Sequence, residues 1–193
     1  MSNEYKIAPT REEGGPLSIY PADLTTANKD YIASEYRRLH TENKFNGACL
    51  KGYLPEIRTL VQEYDCKTIL DYGCGKAAHH KKAKLGDVTL YDPYYEPYSE
   101  KPEGAFDMVI CTDVLEHIPE DEVLTVLSEL INHTNKVLFL AIATRPAHKK
   151  FGNGENVHLS IWPKEKWEGM LERLRYARGC YLGKEIKIVR HYS

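Results

Sequence analysis

Thr68-Ile-Leu-Asp-Tyr-Gly-Cys-Gly-Lys76 decides the fold. A short apolar, β-branched run ends in an acid and enters Gly-x-Gly without an intervening linker. Glycines at 73 and 75 let the backbone turn sharply and let a ligand lie against it. Such a surface at the carboxyl end of a parallel strand suits several nucleotide-type cofactors. Two further stretches repeat the pattern of strand followed by acid. One is Val88-Thr-Leu-Tyr-Asp92-Pro93, the other Asp107-Met-Val-Ile-Cys-Thr-Asp113.

Around these three strands the chain alternates with helix-forming sequence. A helix is expected from about Ala22 to His40, with Tyr31, Ile32, Tyr36 and Leu39 on one face. A second is expected from Pro55, with Leu54, Ile57, Leu60, Val61 and Tyr64 at helical spacing. Residues 76–85 leave room only for a short polar helix, whose His79 and His80 read as solvated. Pro119 followed by Glu120, Asp121 and Glu122 marks another start, proline in the first turn and acids at the positive end of the dipole. Lys136 to Ala143 is an apolar run, as for a strand covered on both faces. Pro163 to Arg173 reads as helix, and two strand-like pieces about Gly183-Lys184 read as an antiparallel hairpin. The order implies an α/β fold. Its mostly parallel, twisted, Rossmann-like sheet would be flanked by helices and end in that hairpin.

With 193 residues, 42% of them hydrophobic, the chain suits a single domain. Residues 1–18 read as a loose arm, 19–66 as N-terminal helices able to form a lid, and 67–193 as the core. A net charge of −2 disfavours a dedicated nucleic-acid or membrane-surface binder. No apolar run reaches membrane-spanning length. The five cysteines are odd in number and lack a Cys-x-x-Cys pair, as expected of reduced thiols in a cytoplasmic protein. The pattern fixes no oligomeric state.

Asp71-x-Gly73-x-Gly75, then Asp92, then Phe106-Asp-Met-Val-Ile-Cys-Thr-Asp-Val-Leu-Glu-His-Ile-Pro119 resembles the class I S-adenosylmethionine-dependent methyltransferases, in a small bacterial or phage-type form. The likeness is strongest over Thr68 to Ala143. It departs at Ala77, where a third glycine is common, and between Asp92 and Phe106, where the family usually fits a helix and a strand. Pro93, Pro97, Pro102 and Gly104 in that short stretch predict that the third strand of the usual seven-stranded sheet is missing or rudimentary.

The resemblance implies a cofactor site of Asp71, Gly73, Cys74, Gly75, Asp92, Pro93, Thr112, Asp113 and Val114. Asp71 would sit near the amino group of S-adenosylmethionine. Asp92 would take the ribose hydroxyls, since a carboxylate accepts two hydrogen bonds from a cis-diol. A nicotinamide-dinucleotide fold is the competing reading of the glycines, but it wants Gly-x-Gly-x-x-Gly opening a longer helix. Here position 78 is alanine.

Glu116 and His117 admit three readings. They cap and orient a loop; or His117 is a general base, its ordinary pKa suiting proton removal near neutrality; or Asp113, Glu116 and His117 bind a divalent metal. The last pattern is similar to the acidic-x-x-Glu-His of RNA 3′-terminal 2′-O-methyltransferases and the ubiquinone-pathway O-methyltransferase. His158, after the Lys136 to Ala143 strand, would supply a fourth ligand. Magnesium, manganese and zinc all fit oxygen-plus-imidazole ligands. His117 and His158 are the candidate catalytic residues. The cluster Arg145, His148, Lys149 and Lys150 is either an exposed loop or a contact to an acidic group on the acceptor.

The leading expectation is therefore methyl transfer to a small-molecule acceptor, at oxygen. The alternatives are metal-assisted methylation of an RNA end or nucleotide, and a regulatory protein that holds the cofactor without transferring methyl.

Overall fold

The computed structural model describes residues 26–45, 47–177 and 185–189. In chain order these hold α1 (Thr26–Thr41), α2 (Leu50–Glu63), β1 (Thr68–Tyr72), α3 (His80–Ala83), β2 (Asp87–Tyr91), β3 (Phe106–Thr112), α4 (Val123–Asn132), β4 (Thr134–Ala141), α5 (Lys164–Ala177) and β5 (Glu185–Val189).

The strands form one sheet in the order β2-β1-β3-β4-β5. Every neighbouring pair is parallel, with Tyr72 opposite Tyr91, Asp71 opposite Ile110, and Thr112 opposite Ala141. The side chains of β1, β3 and β4 alternate between two cores, as the period of two requires. Ile69, Met108, Ile110, Val137 and Phe139 face α2, which contributes Leu50, Tyr53, Leu54, Ile57 and Leu60. Leu70, Val109, Cys111, Leu138 and Leu140 face the opposite way, against Val123, Leu127 and Leu130 of α4 and Trp167 and Leu171 of α5. Burial on both faces explains why these strands read as continuous apolar runs. A third cluster, Ile32, Tyr36 and Leu39 of α1 with Phe151 and Val157, lies outside the sheet layers.

No strand occurs between Asp92 and Phe106, only a single 3-10 turn at Glu96–Tyr98, so β2 is an edge strand as expected. The C-terminal hairpin is not confirmed. The expected first arm is helical at Tyr176 and Ala177, its residues 178–182 lie outside the described residues, and β5 runs parallel to β4. A helical crossover through α5 returns the chain in the same direction, which a two-residue turn does not. α2 starts at Leu50, with Pro55 inside it rather than opening it. α4 starts at Val123, the Pro119 segment forming a turn ahead of it that puts the Glu122 and Val123 N–H groups on the Pro119 carbonyl. Among the described residues no helix is long and apolar enough to cross a membrane.

Candidate active site

The chain leaves β1, makes β2 on one side and returns to β3 on the other. The strand order therefore reverses between β1 and β3, where open α/β sheets bind ligands. The glycine turn sits at that crevice. The Gly73 and Cys74 N–H groups both donate to the Tyr91 carbonyl, at 2.7 and 3.0 Å. Gly73 has φ +81°, and a Cβ there would lie 2.2 Å from a methyl of Val114 across the crevice. Conformation and space both demand glycine. At Gly75, φ is +56° and a Cβ would lie 2.9 Å from the Gly47 nitrogen. The loop joining α1 to α2 thus packs directly on the turn. Ala77, the departure noted in the sequence, also has positive φ, +50°.

A cavity of about 310 Å³ opens over this turn. It falls in the range of small-molecule sites. All nine expected cofactor residues line it. The N-terminal segment supplies its other wall, through Tyr36, His40, Lys44, Phe45 and Cys49.

Asp92 is buried and already holds the neighbouring backbone. Its Oδ2 accepts the Gly75 N–H at 2.9 Å and its Oδ1 the Tyr94 N–H at 3.0 Å. His40 Nε2 lies 3.4 Å from Oδ1. An ionised carboxylate has about four acceptor positions, so two remain for a diol. Asp71 is buried with its Oδ2 2.8 Å from His80 Nε2. Burial raises its pKa, and His80 pulls the other way. His80 is therefore not a solvated helix residue, since its side chain is only 10% exposed. Helix α3 spans one turn, too short for a periodicity to announce which face is inward.

Glu116 and His117 lie in a 3-10 turn, Leu115–His117, just after β3. The Glu116 carbonyl accepts the Leu159 and Ser160 N–H groups at 2.7 and 2.9 Å, which brings the segment after β4 back against this turn. Asn156 holds that loop in shape. Its side-chain oxygen accepts from the Ala147 and His158 N–H groups, at 3.0 and 2.9 Å. As a result one donor atom from each of Glu116, His117 and His158 lies within 4.8 Å of the others. The rings of His117 and His158 meet edge to face at 4.7 Å.

Each imidazole has its proton placed by a backbone carbonyl, which can only accept. His117 Nδ1 is 2.9 Å from the Val157 oxygen and His158 Nδ1 is 2.6 Å from the Arg145 oxygen. The Nε2 of each neutral ring is left as a lone pair. Burial pushes the His117 pKa down to about 3, with His158 adding to the effect. Burial also lowers that of His158. Glu116 is fully buried. One oxygen accepts the Ala143 N–H at 3.0 Å, and Oε2 has no hydrogen-bond partner. Its pKa rises through burial first and the Asp113 carboxylate second.

The structure thus gathers three of the four expected metal ligands and leaves Asp113 out of the set. The backbone at Asp113 is left-handed, φ +53°, so the helical turn that would align Asp113 with Glu116 begins only after it. Asp113 interacts instead with Glu116 and with Cys49, whose thiol pKa is pushed up to about 12 by burial first and by Asp113 next. His117 lines the cavity, whereas Glu116 and His158 do not. Tyr36 locks α1 onto the same place. Its hydroxyl donates to the Val157 carbonyl at 2.7 Å, with the His117 carbonyl at 2.9 Å. Of the basic cluster only Lys149 lines the cavity, and His148 and Lys150 are exposed.

A profile of the methyltransferase domain family matches residues 28–180. The chain belongs to that family. Among solved structures it is similar to 1,6-didemethyltoxoflavin-N1-methyltransferase of Burkholderia thailandensis, which carries bound 1,6-didemethyltoxoflavin and S-adenosylhomocysteine. That likeness has a TM-score of 0.53 and 15% identity, over 81% of each chain. No curated protein matches the sequence. The chain is an S-adenosylmethionine-dependent methyltransferase with a Rossmann-like sheet, and its cavity lies where such a fold takes its cofactor.

Proposed function

We propose that this methyltransferase acts on a small-molecule acceptor, at oxygen, with a divalent cation held by Glu116, His117 and His158. The observation that carries this is the approach, within 4.8 Å, of a carboxylate oxygen of the buried Glu116 to two imidazoles whose Nδ1 protons are spent on carbonyls. Metal-binding histidines are oriented by such outer-shell acceptors, and a buried carboxylate oxygen without a partner is costly unless something satisfies it. When bound, a divalent ion supplies a Lewis acid that lowers the pKa of an acceptor hydroxyl.

The remaining work falls to the chain's own groups. Bound S-adenosylmethionine brings an activated methyl on a sulfonium, so alignment matters most. Asp92 holds the ribose hydroxyls and Asp71 stands at the amino group. Gly73 and Val114 set the width of the crevice. Tyr36, His40 and Phe45 form a lid that excludes water over the transferred methyl. His117, neutral at physiological pH, keeps its Nε2 lone pair for the cation.

The acceptor is small because the cavity is walled by the protein's own N-terminal segment. Four carboxylates (Asp71, Asp92, Asp113, Glu122) against Lys44 and Lys149 line it, a balance that repels a polyanion. The toxoflavin enzyme, whose acceptor is also a small molecule, supports the same substrate class.

The test is a survey of phenol, catechol and hydroxy-acid acceptors, read by S-adenosylhomocysteine release, with and without a chelator. Turnover that falls with the chelator and returns with magnesium, manganese or zinc is expected. Full activity in chelator would leave Glu116, His117 and His158 as a structural cluster. Turnover only on RNA ends would replace the small-molecule reading.

A further inference from the structure

We propose that Lys149 is the carboxylate-binding residue of the cavity, and that its partner is the methionine carboxylate of the cofactor. The inference rests on the S-adenosylmethionine reading of this cavity and adds a residue to it.

Lys149 lies on the loop after β4, far in sequence from the glycine turn. Its ammonium donates to the Lys44 carbonyl at 2.5 Å and sits 4.4 Å above the centre of the Phe45 ring. Those contacts engage one donor and one face, and an ammonium has three donors. No carboxylate lies within ion-pair distance of it among the described residues, although ten other lysine, arginine or histidine side chains there have one. Lys149 is half-buried, and burial lowers its pKa, so holding the charge there is unfavourable without an anion.

The cavity's charges say which anion. S-adenosylmethionine carries two positive groups, an ammonium and a sulfonium, and one negative group, a carboxylate. The lining offers four carboxylates and two lysines. Among its cations Lys149 is held toward the β1–β3 crevice, where Asp113 and Cys49 interact with it electrostatically. A monoanionic carboxylate matches a single ammonium there, and a phosphate dianion would face the surrounding acids. A carboxylate on the acceptor has the same chemistry, and the experiment separates the two sources.

Calorimetry compares wild type, Lys149→Met and Lys149→Arg with S-adenosylhomocysteine and with 5′-methylthioadenosine. The second ligand keeps the adenosine and sulfur and lacks the amino-acid end. With a cofactor carboxylate, Lys149→Met weakens S-adenosylhomocysteine by about ten- to hundredfold, while 5′-methylthioadenosine is unaffected and Lys149→Arg keeps most of the affinity. Unchanged 5′-methylthioadenosine binding also shows that the variant is folded. With an acceptor carboxylate, S-adenosylhomocysteine is unaffected, and benzoate binds the S-adenosylhomocysteine-saturated wild type but not Lys149→Met. That outcome keeps the residue and overturns the cofactor as partner. Unchanged binding of both S-adenosylhomocysteine and benzoate overturns the proposal, as does an equal loss for both nucleosides. Wild type that binds neither nucleoside overturns the cofactor reading along with it.

Discussion

Asp92→Ala removes a carboxylate that serves the fold and, in the proposed ribose assignment, the ligand through different lone pairs, so its two effects can be calculated separately. In the folded chain it accepts the Gly75 and Tyr94 N–H groups at 2.9 and 3.0 Å. Gly75 is buried and Tyr94 half-buried. The first loses its only carboxylate acceptor, and water entering through the cavity restores part of the loss, which sets the stability cost at about 1–3 kcal/mol. The ligand loses two hydroxyl-to-carboxylate hydrogen bonds, at about 1.5–3 kcal/mol each. Affinity for S-adenosylhomocysteine should therefore fall by about 10²–10⁴-fold. Asp92→Asn keeps the shape, but its amide nitrogen cannot accept. Either a ribose hydroxyl or one of the two N–H groups loses its acceptor, and an intermediate loss of about tenfold or more is expected. Calorimetry with S-adenosylhomocysteine gives the affinities, and urea unfolding of the same samples gives the stability term. A folded Asp92→Ala protein that binds S-adenosylhomocysteine within about threefold of wild type would refute the ribose assignment and the lone-pair argument behind it.

Gly73→Ala should destabilise by about 2–5 kcal/mol, combining the left-handed backbone cost with overpacking against Val114. Adding Val114→Ala should recover only the packing part, and urea midpoints would show full recovery if the backbone term were absent. His158→Ala should abolish binding of zinc or manganese by calorimetry yet leave S-adenosylhomocysteine affinity unchanged, because His158 does not line the cavity. Retained metal binding would sink the three-ligand assignment. Glu35, which holds α1 to the loop at Gly152, has its pKa lowered by Arg38 first and by the Gly152 N–H next. A depressed carboxyl contributes stability above its unfolded value, near pH 4.3, and loses it as pH falls through the folded value. Glu35→Gln should thus cost about 1–2 kcal/mol at pH 7 and progressively less below pH 4. A pH-independent cost measured by unfolding would contradict that ion pair.

Much of the cavity lining was legible in the order of residues. Gly73, Gly75, Asp92 and Asp113 stand at strand ends, and a strand's carboxyl end in a parallel sheet has one place to be. The missing strand was legible too, because three prolines and a glycine between Asp92 and Phe106 leave no run able to pair. The direction of β5 was not. Its local sequence satisfies either orientation, and only the α5 crossover chooses.

By itself, then, the sequence determined a doubly wound sheet and a glycine turn at its switch point, since these follow from local backbone conformation and strand order, while the type of methyl donor came from its resemblance to the class I methyltransferases. Tertiary structure alone decided the partners of the side chains. His158 reaches His117 across 41 positions because the Glu116 carbonyl captures the chain at Leu159 and Ser160. His80 turns inward to Asp71, Lys149 reaches the cavity while its basic neighbours do not, and left-handed φ takes Asp113 out of line with Glu116. Each of these depends on long-range hydrogen bonds and packing, which no local spacing encodes.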